Sequence, residues 1–216
     1  MHIPDAVLNT PVCVATAAVA VVGVGVCLRK VERDLRPERV PMLGVMGAFL
    51  FAAQMVNFPV LGGTSGHLMG TALATVLLGP HAAVLVMTTV LLIQCFLAGD
   101  GGLTTLGANI LNMALVPAFL VGFIQSRFGR ASNPRRQRSV TFLAAWASVV
   151  VAALLCSAEL VVTYGRFSVP TIVPMMLGVH ALIGVGEGLL TLGALAVIAR
   201  VTPELTPVAA TEAEVE

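Results

Sequence analysis

An all-helical integral membrane bundle with seven transmembrane helices is the fold class this sequence predicts, on three observations. First, 57% of the 216 residues are hydrophobic and only 11% are charged, with a mean hydropathy of +0.96. A soluble domain carries about 45–50% apolar and about 25% charged residues, so this chain has too little polar surface to face water. Second, the apolar residues are Val, Leu, Ala and Gly in long runs, and aromatics make up only 5%. This excludes an outer-membrane barrel of roughly ten-residue alternating strands with aromatic girdles. Third, the basic residues are confined to a few hydrophilic connections, which gives the bundle a direction.

A helix needs about 20 apolar residues to cross the hydrocarbon layer. The apolar runs are 11–28, 42–58, 67–79, 81–98, 108–125, 140–163 and 172–199. The third is short for a full crossing and is divided from the fourth by Gly79-Pro80. Pro80 has no amide proton and suits the first turn of a new helix, so these two runs read as a tight helical hairpin. An external N-terminus places the connections 29–41, 79–80 and 126–139, and everything after 200, on the cytoplasmic side. Eleven of the 12 Lys and Arg residues are then inside and Arg166 alone is outside, as the positive-inside rule requires. A signal peptide would carry its positive charge ahead of the apolar stretch; here the basic residues follow it, so the first span is expected to be retained. The domain reading is one transmembrane domain over 1–200 and an acidic, disordered cytoplasmic tail over 201–216.

Several classes drop out. No basic patch carries interleaved aromatics, so nucleic acid is not an expected partner. Cys13, Cys27, Cys95 and Cys156 lie in apolar runs without a Cys-x-x-Cys pair and read as small buried hydrophobes. No G-x-x-x-x-G-K-[ST] motif is present, so the chain is not expected to be an ATPase or an enzyme of its own.

The external side collects polar groups that the bilayer discourages. They are Met1-His2-Ile3-Pro4-Asp5, the loop Gly62-Gly63-Thr64-Ser65-Gly66-His67, the loop Gly99-Asp100-Gly101-Gly102-Leu103-Thr104, and His180 with Glu187 in the last span. Ionisable residues at membrane depth are functional candidates. A retained Met1 followed by His2 offers the α-amino nitrogen, the His2 amide nitrogen and His2 Nδ1, which close fused five- and six-membered chelate rings on one ion. His67, flanked by glycines that permit close backbone approach, is the natural fourth ligand. Four nitrogens in a square suit Ni(II) or Cu(II). The alternative for each histidine is a chance or solvated position.

The remaining polar residues are candidates to brace the ligands. His180 and Glu187, seven apart on one helix face, read equally as hydrogen-bond partners behind a ligand histidine or as polar glue in the bundle. Gly184, Gly186 and Gly188 permit close helix packing there. Gln54 and Asn57 could hold the folded-in loops. Asp100, Asn109 and Asn112 read first as turn-closing and helix-capping residues, with Ser65, Asp100 and Asn109 also counted among possible supports for the ligands. Glu159 reads as an interfacial carboxylate, and His81 carries no role.

The segments MHIPD, FAAQMVNFPVLGGTSGHLMG (51–70), LAGDGGLTTLGANILNMA (97–114) and HALIGVGEGLLT (180–191) resemble the CbiM/NikM proteins, in order and over roughly residues 1–200. These are substrate-specificity (S) components of energy-coupling-factor (ECF) cobalt and nickel transporters. The resemblance implies a six-helix S-component core plus an N-terminal additional helix. It implies capture of Ni(II) or Co(II) from outside as transported substrate, with no cofactor of the chain's own. The implied ligands are the Met1 amine, the His2 amide and ring, and His67. Implied partners are a transmembrane T component (CbiQ/NikQ-like), cytoplasmic ATPases (CbiO/NikO-like), a small accessory membrane subunit (CbiN/NikN-like) and the lipid of a prokaryotic cytoplasmic membrane. One departure stands out: the family usually reads MHIPDG, whereas this chain has Ala6. Two other functions fit parts of the sequence. Gly63-Thr64-Ser65-Gly66 with His180 could form the Ser–His pair of an intramembrane serine protease, although a short glycine-rich match is weak among 21 Gly. A stand-alone divalent-metal permease would show internal repeats, and none is visible.

Overall fold

The computed structural model describes residues 1–60, 64–129 and 133–201, and among them every regular element is helical apart from one short strand pair. Helix α1 runs Thr10–Asp34, α2 Val40–Gln54, α3 Thr71–Leu78, α4 Pro80–Ala98, α5 Leu106–Gly129, α6 Pro134–Tyr164 and α7 Val169–Val201. Five helical stretches are long and apolar enough to cross a membrane: α1, α4, α5, α6, and α7 with the short turn before it; α2 is a shorter apolar helix. The expected tail beyond Val201, the Gly62–Gly63 part of the loop and Arg130 lie outside the described residues.

Local chemistry sets the helix ends. Asn9 caps α1 by accepting from the Val12 amide at 3.0 Å, and Asn133 caps α6 from Arg135 at 2.9 Å, in each case taking up an orphan first-turn donor. The helix α1 extends past its apolar run through Lys30, which pairs with Asp34 at 2.9 Å. The second span ends earlier than its apolar run. Phe58 precedes Pro59, a position that disfavours helix, and Phe58–Val60 instead pairs antiparallel with Thr64–Gly66 (β1 and β2). The third is the shortest, eight residues or about 12 Å of rise. It begins only after Gly70 at φ +74°, because the Met69 and Gly70 amides are held by Glu187. A single residue, Gly79 at φ +81°, separates α3 from α4, with Pro80 in the first turn of α4 as expected.

Small residues let the helices meet. A Cβ on Gly107 of α5 would lie 2.4 Å from the Ala17 backbone of α1, and one on Gly188 of α7 would lie 2.5 Å from the Phe142 ring of α6. Gly184 sits against Trp146, whose indole N–H donates to the Ala181 carbonyl at 3.0 Å. The core is made of Leu50, Leu73, Met87, Met113, Leu160 and Met176, all essentially inaccessible. Among the described residues the four cysteines are free.

Candidate metal centre

The N-terminal segment, residues 1–8, enters the bundle instead of trailing from it: Met1, His2 and Ile3 are 1%, 2% and 0% exposed. Backbone groups at such depth need partners, and α5 with its preceding loop supplies them. Asn109 accepts from the Ile3 amide at 2.9 Å and donates to the Ile3 carbonyl at 3.1 Å, and the same carbonyl accepts from Thr105 and from the Gly102 amide. Asp5 accepts from the amides of Leu103 and Thr104 and from the Thr104 hydroxyl, which hold its carboxyl below the ordinary value. Gly102 leaves room for this docking, since a Cβ there would meet the Asp5 amide at 2.3 Å.

Docking brings the nitrogen donors together. The Met1 amine donates to the Ser65 carbonyl and lies 3.1 Å from His67 Nε2. The His2 amide donates to Ser65 Oγ at 3.3 Å, and the His2 and His67 rings stack with centroids 4.7 Å apart. Both imidazoles have their tautomer set. His67 Nδ1 donates to the Leu68 carbonyl at 2.8 Å, so the lone pair lies on Nε2, facing Met1. His2 Nε2 donates to Gln94 Oε1 at 3.0 Å, so its lone pair lies on Nδ1. Gln94 cannot turn over, because its amide donates to Gln54 Oε1 at 3.0 Å, and Gln54 in turn donates to the Met69 carbonyl at 2.6 Å. The chain of amides runs one way and ends on a backbone acceptor, which fixes every member.

On the other edge, His2 Nδ1 is 3.4 Å from Asp100 Oδ2 and 3.5 Å from Ser65 Oγ, both long for a hydrogen bond. Asn57 anchors Asp100 at 3.0 Å. Burial lowers the Met1 amine from its ordinary value to about 5, against the pull of Asp100. Burial and then the Met1 charge lower His2 to about 4. At neutral pH the Met1 amine and the His2 ring therefore present unprotonated nitrogen. Among the described residues no group of three or more His, Cys, Asp or Glu side chains could hold a metal; the donors here are an amine, an amide and two imidazoles.

The other expected residues are placed as follows. Glu187 accepts from the Met69 and Gly70 amides at 2.9 and 2.7 Å and so braces the stretch that follows β2 and carries His67. His180 Nδ1 bonds the Met176 carbonyl at 2.8 Å within its own helix, not a ligand histidine. Ser65 and His180 make no hydrogen bond to each other: Ser65 Oγ faces His2, and His180 Nε2 has no partner among the described residues. No nucleophile–base pair forms there. Two readings change. Asn109 and Asn112 cap no helix; Asn109 grips Ile3, and Asn112, inside a wide π turn of α5, donates to Glu159 at 2.7 Å. Glu159 is 9% exposed and faces α5, because this bond takes it out of the interface. Gln94 and Thr105 escaped the sequence reading. A lone glutamine within the apolar run 81–98 was the available signal for the first; Thr105 gave none.

A model of the cobalt uptake substrate-specific transmembrane region (CbiM) matches residues 2–205. The chain belongs to the CbiM family. Members of this cobalt and nickel uptake family are multi-pass membrane transport proteins, and the five long apolar helices agree. The chain is 38% identical over 206 residues to a Haloquadratum walsbyi protein provisionally named for metal transport, covering 95% of this chain and 93% of that one. It is 37% identical over 220 residues to the fused nickel transport protein NikMN of Rhodobacter capsulatus, covering 95% of this chain and 63% of the relative. A crystal structure of a transition metal transporter superposes with a TM-score of 0.84 at 29% identity, covering 93% of each chain.

Proposed function

We propose that this CbiM-family chain is the substrate-capture (S) subunit of an ECF-type importer, taking Ni(II) or Co(II) from the external side. The ligands are the Met1 amine, the His2 amide nitrogen and Nδ1, and His67 Nε2. The observation that carries this is the 3.1 Å approach of the Met1 amine to His67 Nε2, with both imidazole lone pairs set by their other nitrogens. Neighbouring donors of a square plane with bonds of roughly 2 Å stand about 2.8 Å apart, so a small closure of this gap admits the ion. The His2 amide must lose its proton to bind. The resulting anion and Asp100 then offset the ion's charge.

Seven passes, with α3 and the extended stretch before it making the third, put the N-terminus outside and the C-terminus inside, in the cytoplasmic membrane of a prokaryote. The domain is 1–200, with 201–216 as tail. Transport inward needs a CbiQ/NikQ-like T component and CbiO/NikO-like ATPases. The fused relative supports a CbiN/NikN-like accessory partner. The exposed α2 face of Ala48 and Ala52 suits close approach of the T component.

The test is elemental analysis of the C-terminally tagged protein loaded with Ni(II) or Co(II). Stoichiometric metal, lost in His2→Ala and His67→Ala and lost when residues are added before Met1, is the expected result. A metal-free wild type, or an extended N-terminus that binds normally, overturns the reading.

A further inference from the structure

His180 is the one histidine of the buried site region that the capture chemistry leaves unused, and its geometry is that of a ligand. It is 1% exposed. Its Nδ1–H donates to the Met176 carbonyl at 2.8 Å, so the lone pair lies on Nε2, and Nε2 has no hydrogen-bond partner among the described residues. This is the arrangement of His67, whose Nδ1–H also donates to a backbone carbonyl and whose Nε2 faces the Met1 amine. An imidazole that is oriented through one nitrogen while the other stays bare is how metal-ligating histidines are presented. A buried nitrogen without a partner is unfavourable and asks for a reason.

Position supplies one. The stretch that carries His67 lies against the same helix: Glu187 of α7 accepts from the Met69 and Gly70 amides, and a Cβ on Gly186 would lie 3.4 Å from the Leu68 side chain. His180 lies on that helix seven residues, about two turns, before Glu187. It also belongs to a buried face of α7 that begins at Met176 and continues past His180 through Gly184, Glu187, Gly188 and Thr191, spaced four, seven, eight and eleven residues on from His180. Thr191 Oγ1 is likewise buried and without a partner among the described residues.

We propose that His180 Nε2 is a second metal ligand, the first acceptor of the ion as it leaves the capture chelate inward along this face of α7. The inference rests on the capture reading above. The step is a ligand exchange: a bond from the ion to His180 Nε2 forms as the bond to His67 Nε2 breaks. Both are neutral imidazoles, so neither charge nor proton moves.

The experiment compares wild type, His180→Gln and His180→Cys in the full chain. Equilibrium Ni(II) content is measured on purified protein. Uptake of radioactive nickel is measured in cells carrying the chain with its own transport partners. His180→Gln keeps the volume and a donor toward Met176; it should bind Ni(II) stoichiometrically with a half-saturating concentration within about threefold of wild type, yet lose roughly tenfold or more of maximal uptake. His180→Cys, which restores a ligand but not the hydrogen bond, should recover part of the rate. Loaded with Co(II), it should show a thiolate charge-transfer band absent from wild type, which keeps the four native cysteines. Wild-type uptake in a folded His180→Gln protein overturns the relay. Loss of its bound Ni(II) overturns it too, by making His180 a support of the capture site. If His180→Cys is no faster than His180→Gln and lacks the band, ligation at position 180 is excluded. A wild type that holds no Ni(II) is a separate outcome and removes the capture reading first.

Discussion

Ala6 sits at φ +63°, the one non-glycine residue with positive φ among the described residues. A Cβ in the left-handed region costs roughly 1–2 kcal/mol, and the turn it occupies connects the docked Met1–Asp5 segment to α1. Ala6→Gly should relieve that strain and raise stability by about 1 kcal/mol, with the glycine's greater unfolded freedom taking back part of the gain; thermal unfolding in detergent reads it. A lowered midpoint would show that Ala6 is not strained. Asn109 has the opposite role. Asn109→Ala removes both of its bonds to Ile3 and should weaken metal binding by roughly 10–100-fold while the helices remain folded, measurable by competition against a chelator. Metal binding should also follow pH in two regimes. The amide proton leaves at any pH, so affinity should fall about tenfold per unit from pH 8 to 6. The fall steepens near pH 5 and below, where the Met1 amine and then His2 take up protons. Affinity that stays constant from pH 8 to 5 would exclude the nitrogen chelate.

The elements are tied at two points where the side-chain contacts leave no slack. Glu187 of α7 holds the stretch before α3 through two backbone amides. Glu187→Gln leaves only one acceptor and turns an amide donor on a backbone N–H. The stretch behind His67 should then loosen, lowering metal affinity roughly tenfold or more, whereas Glu187→Asp, with both oxygens kept, should lose less. Gly107 is a close approach of α5 to α1, with the Ala17 backbone in the place of any side chain. Backbone cannot swing aside as a rotamer does, so Gly107→Ala should destabilise by about 1–3 kcal/mol. A Gly107→Ala protein as heat-stable as wild type would mean that α1 packs more loosely than described. The π turn opening at Gln94 and the one containing Asn112 widen α4 and α5 where they carry polar side chains inward, a common use of such turns.

At the scale of the whole molecule, folding takes a charged N-terminus out of water. The Met1 amine, with an ordinary value of 8.0, is lowered to about 5 in the folded chain. Between those values the unfolded chain binds more protons, so stability should rise with pH across about 5 to 8, and His2, lowered to about 4, extends the same trend downward. Unfolding midpoints recorded across that range check the sign; a midpoint that falls with pH would mean the amine stays charged. The tertiary fold also gives the first nine residues an unusual weight, since they are gripped by partners some hundred residues distant in sequence.

Composition and periodicity were enough for the membrane class, the helical content and most of the long spans, because burial in lipid demands length and apolarity that any reader can count. That Met1, His2 and His67 would lie together was also legible, since the donor atoms proposed as ligands belong to adjacent or loop residues whose chemistry does not depend on packing. That the third span is short was legible, but the early end of α2 and the late start of α3 at Thr71 were not. An apolar run records where a chain tolerates lipid, not where its backbone amides find partners, and Glu187 and Pro59 decided that instead. Gln94, Thr105 and the Asn112–Glu159 pair were hidden for the same reason: each is a single polar residue in an apolar context, and what it does is set by a neighbour far along the chain that the fold brings to it.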